Sequence, residues 1–136
     1  MSVADTESTL QDYMNALLGG GDFAAFFSDD VLWTTMETGD EIRGRDAVRD
    51  YIVALHSELF EATPELRSLA VADGIASLEA DFVGKHVAEL AGVPPTGAEV
   101  RLPYAMFYDV DGGSITAIRA YFPITVLVQK LQEAAT

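Results

Sequence analysis

Two histidines and five tyrosines are the residues of this chain best suited to acid/base and hydrogen-bonding chemistry, and no cysteine accompanies them. A neutral imidazole takes or gives a proton near pH 7 without a large shift in pKa, and a tyrosine hydroxyl can donate to a carbonyl or a developing enolate. His86 is the histidine in phase with the inner face of its strand. Two readings stand for it: it moves a proton in a pocket, or it hydrogen-bonds the Pro94-Pro95 loop backbone, since either ring nitrogen can serve. Tyr13, Tyr104 and Tyr108 are either carbonyl donors or core residues with satisfied hydroxyls. Trp33 and Phe122 are large enough to wall a ring system or simply to fill a core, with Met36 and Met106 as adaptable filler. His56 lies at the edge of a helical apolar stripe, where a residue usually meets solvent.

Other chemistries lack their signals. Without cysteine there are no disulfides and no thiolate ligands or nucleophiles. The histidines show neither H-x-x-x-H nor H-E-x-x-H spacing, so no metal is expected. Gly19-Gly20-Gly21 lacks the Gly-Lys-Ser/Thr that completes a phosphate loop, no serine sits in a nucleophile elbow, and no cofactor is expected.

These residues need elements to hold them. Leu10, Tyr13, Met14, Leu17 and Leu18 follow helical spacing, with Ser2 or Asp5 as N-cap and the three glycines as the stop. Asp22 caps a short helix through Phe23, Phe26 and Phe27, and VLWTTM reads as a strand. After a loop through Gly39 and Gly44, a third helix carries Val48, Tyr51, Ile52, Leu55 and Leu59. Four strands follow Pro64: Leu66 to Ala72, Ile75 to about His86, Glu99 to Val110 and Ile115 to Phe122. Turns at Asp73-Gly74 and Asp111-Gly112-Gly113 make antiparallel neighbours, and Pro123 opens a last helix. The order predicts a single α+β domain over residues 1–136, with helices covering one face of a bent antiparallel sheet.

Strand alternation sorts the two faces. Leu78, Ala80, Phe82, Gly84 and His86 share one face with Val100, Leu102, Tyr104, Met106, Tyr108, Ile118, Ala120 and Phe122. Glu79, Asp81, Arg101 and Arg119 fall on the other, where they are expected to pair across strands. A strand bulge would bring Asp81 or Glu79 inside, as a catalytic carboxylate.

The composition narrows the partners. A chain of 136 residues that is 49% hydrophobic can build one sizeable core. With 22 acidic and 8 basic residues its net charge is -14, which repels phosphate backbones and anionic lipid surfaces, so neither nucleic acid nor membrane is expected as a partner. The N-terminus has no basic region followed by an apolar run, and a cytoplasmic protein is the default expectation.

Four segments carry a family resemblance: FFSDDVLW, RGRDAVRDYI, GKHVAELAGVPPTG and GGSITAIRAYFP. Through them the chain, from Leu10 to Leu131, resembles the SnoaL-like group of the nuclear transport factor 2 superfamily, which also includes ketosteroid isomerases and limonene epoxide hydrolases. The segment Gly84 to Gly97 is similar to the signature of SnoaL-like cyclases, with Ala88 where a glycine is common. The resemblance implies a curved sheet wrapped around a long N-terminal helix, an apolar pocket with a few polar groups, and a homodimer formed through the outer sheet face, here bearing Pro103, Ala105, Phe107 and Tyr121. It also implies departures. Ala120 stands where the cyclases and epoxide hydrolases carry an acid or base, and Thr35 where the ketosteroid isomerases carry theirs. Their protonated aspartate falls near Tyr104 or Ala105, and only Tyr13 matches their oxyanion donor. Trp33 and Thr35 stand in for the epoxide hydrolase tyrosine and asparagine.

The expected function is binding of a small apolar carbonyl or polyketide-like compound, with cyclase or isomerase chemistry that needs no cofactor. His86 moves the proton, Tyr13, Tyr104 and Thr35 orient the carbonyl, and Trp33, Phe82, Met106, Tyr108, Ile118, Ala120, Phe122 and His56 contact the substrate. Two alternatives remain: a binding protein without turnover, motivated by Ala120, and an epoxide hydrolase in which Asp81 faces inward and activates water.

Overall fold

A computed structural model describes residues 2–135. Helix α1 (Val3–Leu18) begins at Ser2, whose side chain accepts from the Asp5 N–H while Asp5 accepts from the Ser2 N–H. Such a reciprocal cap contributes about 1 kcal/mol. Gly19 ends the helix, and a 3-10 turn (Phe23–Phe26) leads into β1 (Phe27–Thr35). Phe27, expected in the short helix, is instead the first residue of that strand and fully buried. The loop expected between Gly39 and Gly44 contains a short strand, β2 (Asp40–Arg43), which pairs with β1. Four mostly polar residues on a sheet edge lack the alternation that would reveal them.

Helix α2 (Arg45–Val53) runs into a π turn (Ala54–Glu58), closed by the Leu59 N–H on the Ala54 carbonyl at 2.8 Å. Strand β3 (Phe60–Ala72) then starts six residues before the expected Leu66, with Pro64 inside it. The sheet order β2-β1-β6-β5-β4-β3 explains why: β3 is an edge strand, where a proline need sacrifice no ladder bond. Strands β4 (Ile75–His86), β5 (Glu99–Asp111) and β6 (Ser114–Tyr121) complete an antiparallel run, and β6 pairs in parallel with β1. Gly74 and Gly113 make the two hairpin turns with positive φ, at 79° and 81°. Helix α3 (Ile124–Ala135) buries Leu127 and Leu131, and Glu37 of the β1–β2 turn accepts from both the Thr125 N–H and hydroxyl.

Irregularities in the β3–β4, β5–β6 and β1–β6 registers bend the sheet so that its inner face curves over α1 and α2. The alternation expected in β4, β5 and β6 is observed: Leu78, Ala80, Phe82, Leu102, Met106, Tyr108, Ile118 and Ala120 are all buried. No helix among the described residues is long and apolar enough to cross a membrane.

Candidate functional site

A cavity lies between the inner sheet face and the helices. Tyr13, Met14 and Leu17 reach it from α1, Ile52 from α2, and Leu55 and His56 from the π turn. The sheet supplies Trp33, Pro64, Leu78, Phe82, Tyr104, Met106 and Tyr108, and Phe122 closes the wall just beyond β6. Its volume is about 40 Å³. At roughly 10–15 Å³ per water that is room for about three water molecules, far below the roughly 300–1,000 Å³ of a site enclosing a whole drug-sized ligand.

Three phenols are the first polar feature of this lining. The rings of Tyr13 and Tyr108 meet edge to face at 5.8 Å, and their hydroxyls interact. Burial holds both hydroxyls well above the ordinary tyrosine range, so they stay protonated and able to donate. Tyr104, less buried, is pushed up to about 12 by burial, with the charge of Asp81 adding to the effect.

His56 is the second. Its Nδ1 lies 2.9 Å from the Ile52 carbonyl oxygen, which can only accept, so Nδ1 carries the hydrogen and Nε2 keeps a free lone pair. Burial lowers its pKa below the ordinary 6.5, against a smaller upward pull from the Ile52 bond, and the ring is neutral at pH 7. It packs against Phe82 at 5.9 Å. The π turn decides this placement, because one extra residue in the turn changes the angular phase of the side chains beyond α2. Such bulges recur at functional sites.

His86 is placed differently. It is fully buried at the end of the inner face of β4 but does not line the cavity; Phe60, 5.4 Å away, and Phe82 beyond it stand between. Its Nδ1 accepts the Thr96 N–H at 3.1 Å and lies 3.0 Å from the Thr96 hydroxyl, while Nε2 has no partner among the described residues. The nitrogen bearing the lone pair is therefore already engaged in pinning the Gly92–Gly97 corner. Alternation places His86 on the correct face, but cannot say how far along that face the cavity extends.

Thr35 is also drawn away from the cavity. Its hydroxyl accepts from the Trp33 indole N–H at 3.0 Å and lies against Tyr51, so it orients the Trp33 wall from behind. Ile118 and Ala120 are fully buried and outside the lining. Of the expected site residues, the structure brings together Tyr13, Tyr104, Tyr108, Trp33, Phe82, Met106, Phe122 and His56. Of the additional lining residues, Met14, Leu17, Ile52, Leu55 and Leu78 were legible as core stripes, whereas Pro64 read as the break before the strands. Which core residues border a void depends on sheet curvature, which periodicity does not carry.

Asp81 lies on the outer face. Arg67, the extra residue of the β3 bulge, donates to it at 2.8 Å and Arg101 at 2.7 Å, and these bonds hold its carboxyl below the usual range. This corrects the inward-facing Asp81 that an epoxide hydrolase reading requires. Arg119 pairs with Asp109, not with Asp81, and Glu79 bonds Ser68. No carboxylate lines the cavity, and no group of three or more metal-binding side chains occurs among the described residues.

The model of the SnoaL-like domain family matches residues 10–118. The chain belongs to this family. Solved structures of similar fold include a candidate polyketide cyclase from Xanthomonas campestris pv. campestris, with TM-score 0.82 at 19% identity, covering 95% of this chain and 98% of that one. A candidate SnoaL-like polyketide cyclase from Jannaschia sp. CCS1 has TM-score 0.82 at 14% identity, covering 94% and 92%. AclR of Streptomyces galilaeus, a candidate hydroxylase, has TM-score 0.80 at 16% identity, covering 97% and 98%. No curated protein matches the chain in sequence. At these identities the structural neighbours establish the α+β fold, and the chemistry rests on the site itself.

Proposed function

We propose that this SnoaL-like protein binds a small apolar carbonyl compound, of the polyketide-like kind, and acts on it as a cyclase or isomerase through side-chain acid/base chemistry. The observation that carries this reading is His56: a neutral imidazole fixed by Ile52, with Nε2 unencumbered, in the same small cavity as three protonated phenols. In the proposed reaction Nε2 takes a proton from the carbon next to the carbonyl, and the electron pair moves to the oxygen. A phenol, with Tyr104 the least buried of the three, donates to the resulting enolate oxygen. For isomerisation the imidazolium returns the proton to another carbon. For ring closure the carbanion attacks a second carbonyl, forming a carbon–carbon bond, and the new alkoxide takes the proton. Both routes balance without an oxidant or reductant.

The test needs no natural substrate. In D2O, the protein is expected to speed exchange of the α-hydrogens of 2-butanone, followed by proton NMR, and His56→Gln to reduce that exchange by about 10²–10⁴-fold, the range for a lost general base. Exchange by His56→Gln within threefold of wild type would remove the role.

The absence of a carboxylate from the lining favours a binding protein that holds its ligand unchanged. Mass spectrometry of co-purified ligand separates the two, since an unaltered compound together with no exchange supports binding alone. We further propose a homodimer through the outer sheet face, where Phe107 and Tyr121 are exposed and in contact at 5.7 Å. A 14.6 kDa species alone in light scattering at micromolar concentration would count against it.

A further inference from the structure

Next to the cavity lies a groove of about 360 Å³ formed by the end of α1, the glycine loop after it, the π turn and the start of β3. Leu17, Ile52, His56 and Pro64 line both spaces, so the imidazole stands at the boundary between them. The groove's own lining includes Leu18, Gly20, Phe23, Ser57, Ala62 and Thr63, and no charged side chain borders it.

We infer that the groove is a second subsite of the same binding site, occupied by the uncharged chain of the carbonyl ligand, while the inner cavity takes only its carbonyl head. This rests on the function proposed above and specifies its substrate class. The volumes fit this division: about 40 Å³ admits a group of a few atoms, and about 360 Å³ beside it lies within the range of small-molecule sites. His56 then lies where head and chain join, which is where a hydrogen next to the carbonyl is found. Charge decides what the chain carries. An uncharged lining on a protein of net charge -14 supplies no counter-ion for a carboxylate or a phosphate, so a free neutral molecule is selected over an acid, a nucleotide-bearing thioester or a substrate tethered to an acidic carrier.

The test uses 2-alkanones from 2-butanone to 2-undecanone, with binding read from the fluorescence of Trp33, the single tryptophan, which lines the cavity. Each methylene added is expected to tighten Kd about three- to fourfold until the groove is filled, as burial of a methylene predicts. Ser57→Phe adds bulk at an exposed groove-lining position of the π turn and is expected to flatten that rise. Decanoate is expected to bind about tenfold or more weakly than 2-undecanone, because its charge finds no partner. A Kd independent of chain length, a wild-type rise in Ser57→Phe, or decanoate binding as tightly as 2-undecanone overturns the inference. Tyr104→Phe separates this outcome from failure of the function itself. If it leaves the affinity of every ketone as in wild type while the chain-length rise persists, the groove subsite stands and the carbonyl-binding role of the cavity falls. If it weakens every ketone and no rise is seen, the reverse holds.

Discussion

His86→Ala separates a catalytic histidine from a structural one. Three terms follow from its surroundings. The Thr96 N–H loses its acceptor in a part-buried position, costing about 1–3 kcal/mol. The void left by a fully buried ring costs about 2–5 kcal/mol, by analogy with truncation of large apolar side chains. Against these, the orphaned Nε2–H disappears, which returns about 1–3 kcal/mol. The first and third terms offset each other, leaving a destabilisation of about 2–5 kcal/mol. For a chain of this size that lowers Tm by about 3–5 °C per kcal/mol, or roughly 6–25 °C. Thermal unfolding by circular dichroism, paired with the 2-butanone exchange assay well below Tm, reads both quantities. His86→Asn, whose carbonyl can stand in for Nδ1 as acceptor, is expected to recover part of the loss. The expected pattern is lower stability with α-proton exchange retained, the opposite of His56→Gln. Abolished exchange with Tm unchanged would refute the structural assignment and return His86 to the catalytic role that alternation suggests.

Three further predictions concern pH and packing. Because burial depresses the His56 pKa, exchange is expected to stay level from pH 8 down past the ordinary 6.5 and to fall only below it, measured as rate against pH. The same group contributes stability that is full above 6.5 and is lost as pH falls from there through its lower folded value, since the unfolded chain binds the proton first; chemical denaturation across that window checks the sign. Gly84→Val places a Cβ 2.6 Å from that of Ala62 and 2.9 Å from its Cα, forcing β3 and β4 apart. A loss of about 3 kcal/mol or more is expected in urea unfolding, at or beyond the upper end for an overpacked core, and a wild-type midpoint would contradict the close approach.

The stripe of Leu10, Tyr13 and Met14, the even-numbered face of β4 to β6 and the glycine turns were legible in the sequence, because period and turn chemistry are local properties. The family was legible too, through motifs that span most of the chain. Strand β2 and the first half of β3 were not, since a short polar edge strand has no alternation to show and a proline reads as a break until its strand is known to be an edge.

The sequence by itself determined the chemical inventory: imidazoles, phenols and apolar walls, with no thiol and an acidic surface. Its alternation pointed Asp81 to the outer face but left a bulge that would turn it inward, and the bonds from Arg67 and Arg101 in the structure decide for the outer face. Only the tertiary structure decided which imidazole meets the phenols. His86 and His56 differ little as residues in a pattern, but a π turn after α2 carries one into the cavity, while Phe60 and Thr96 close the other away from it. Sheet curvature and a single widened helical turn arise from contacts between distant segments, and no local periodicity encodes them.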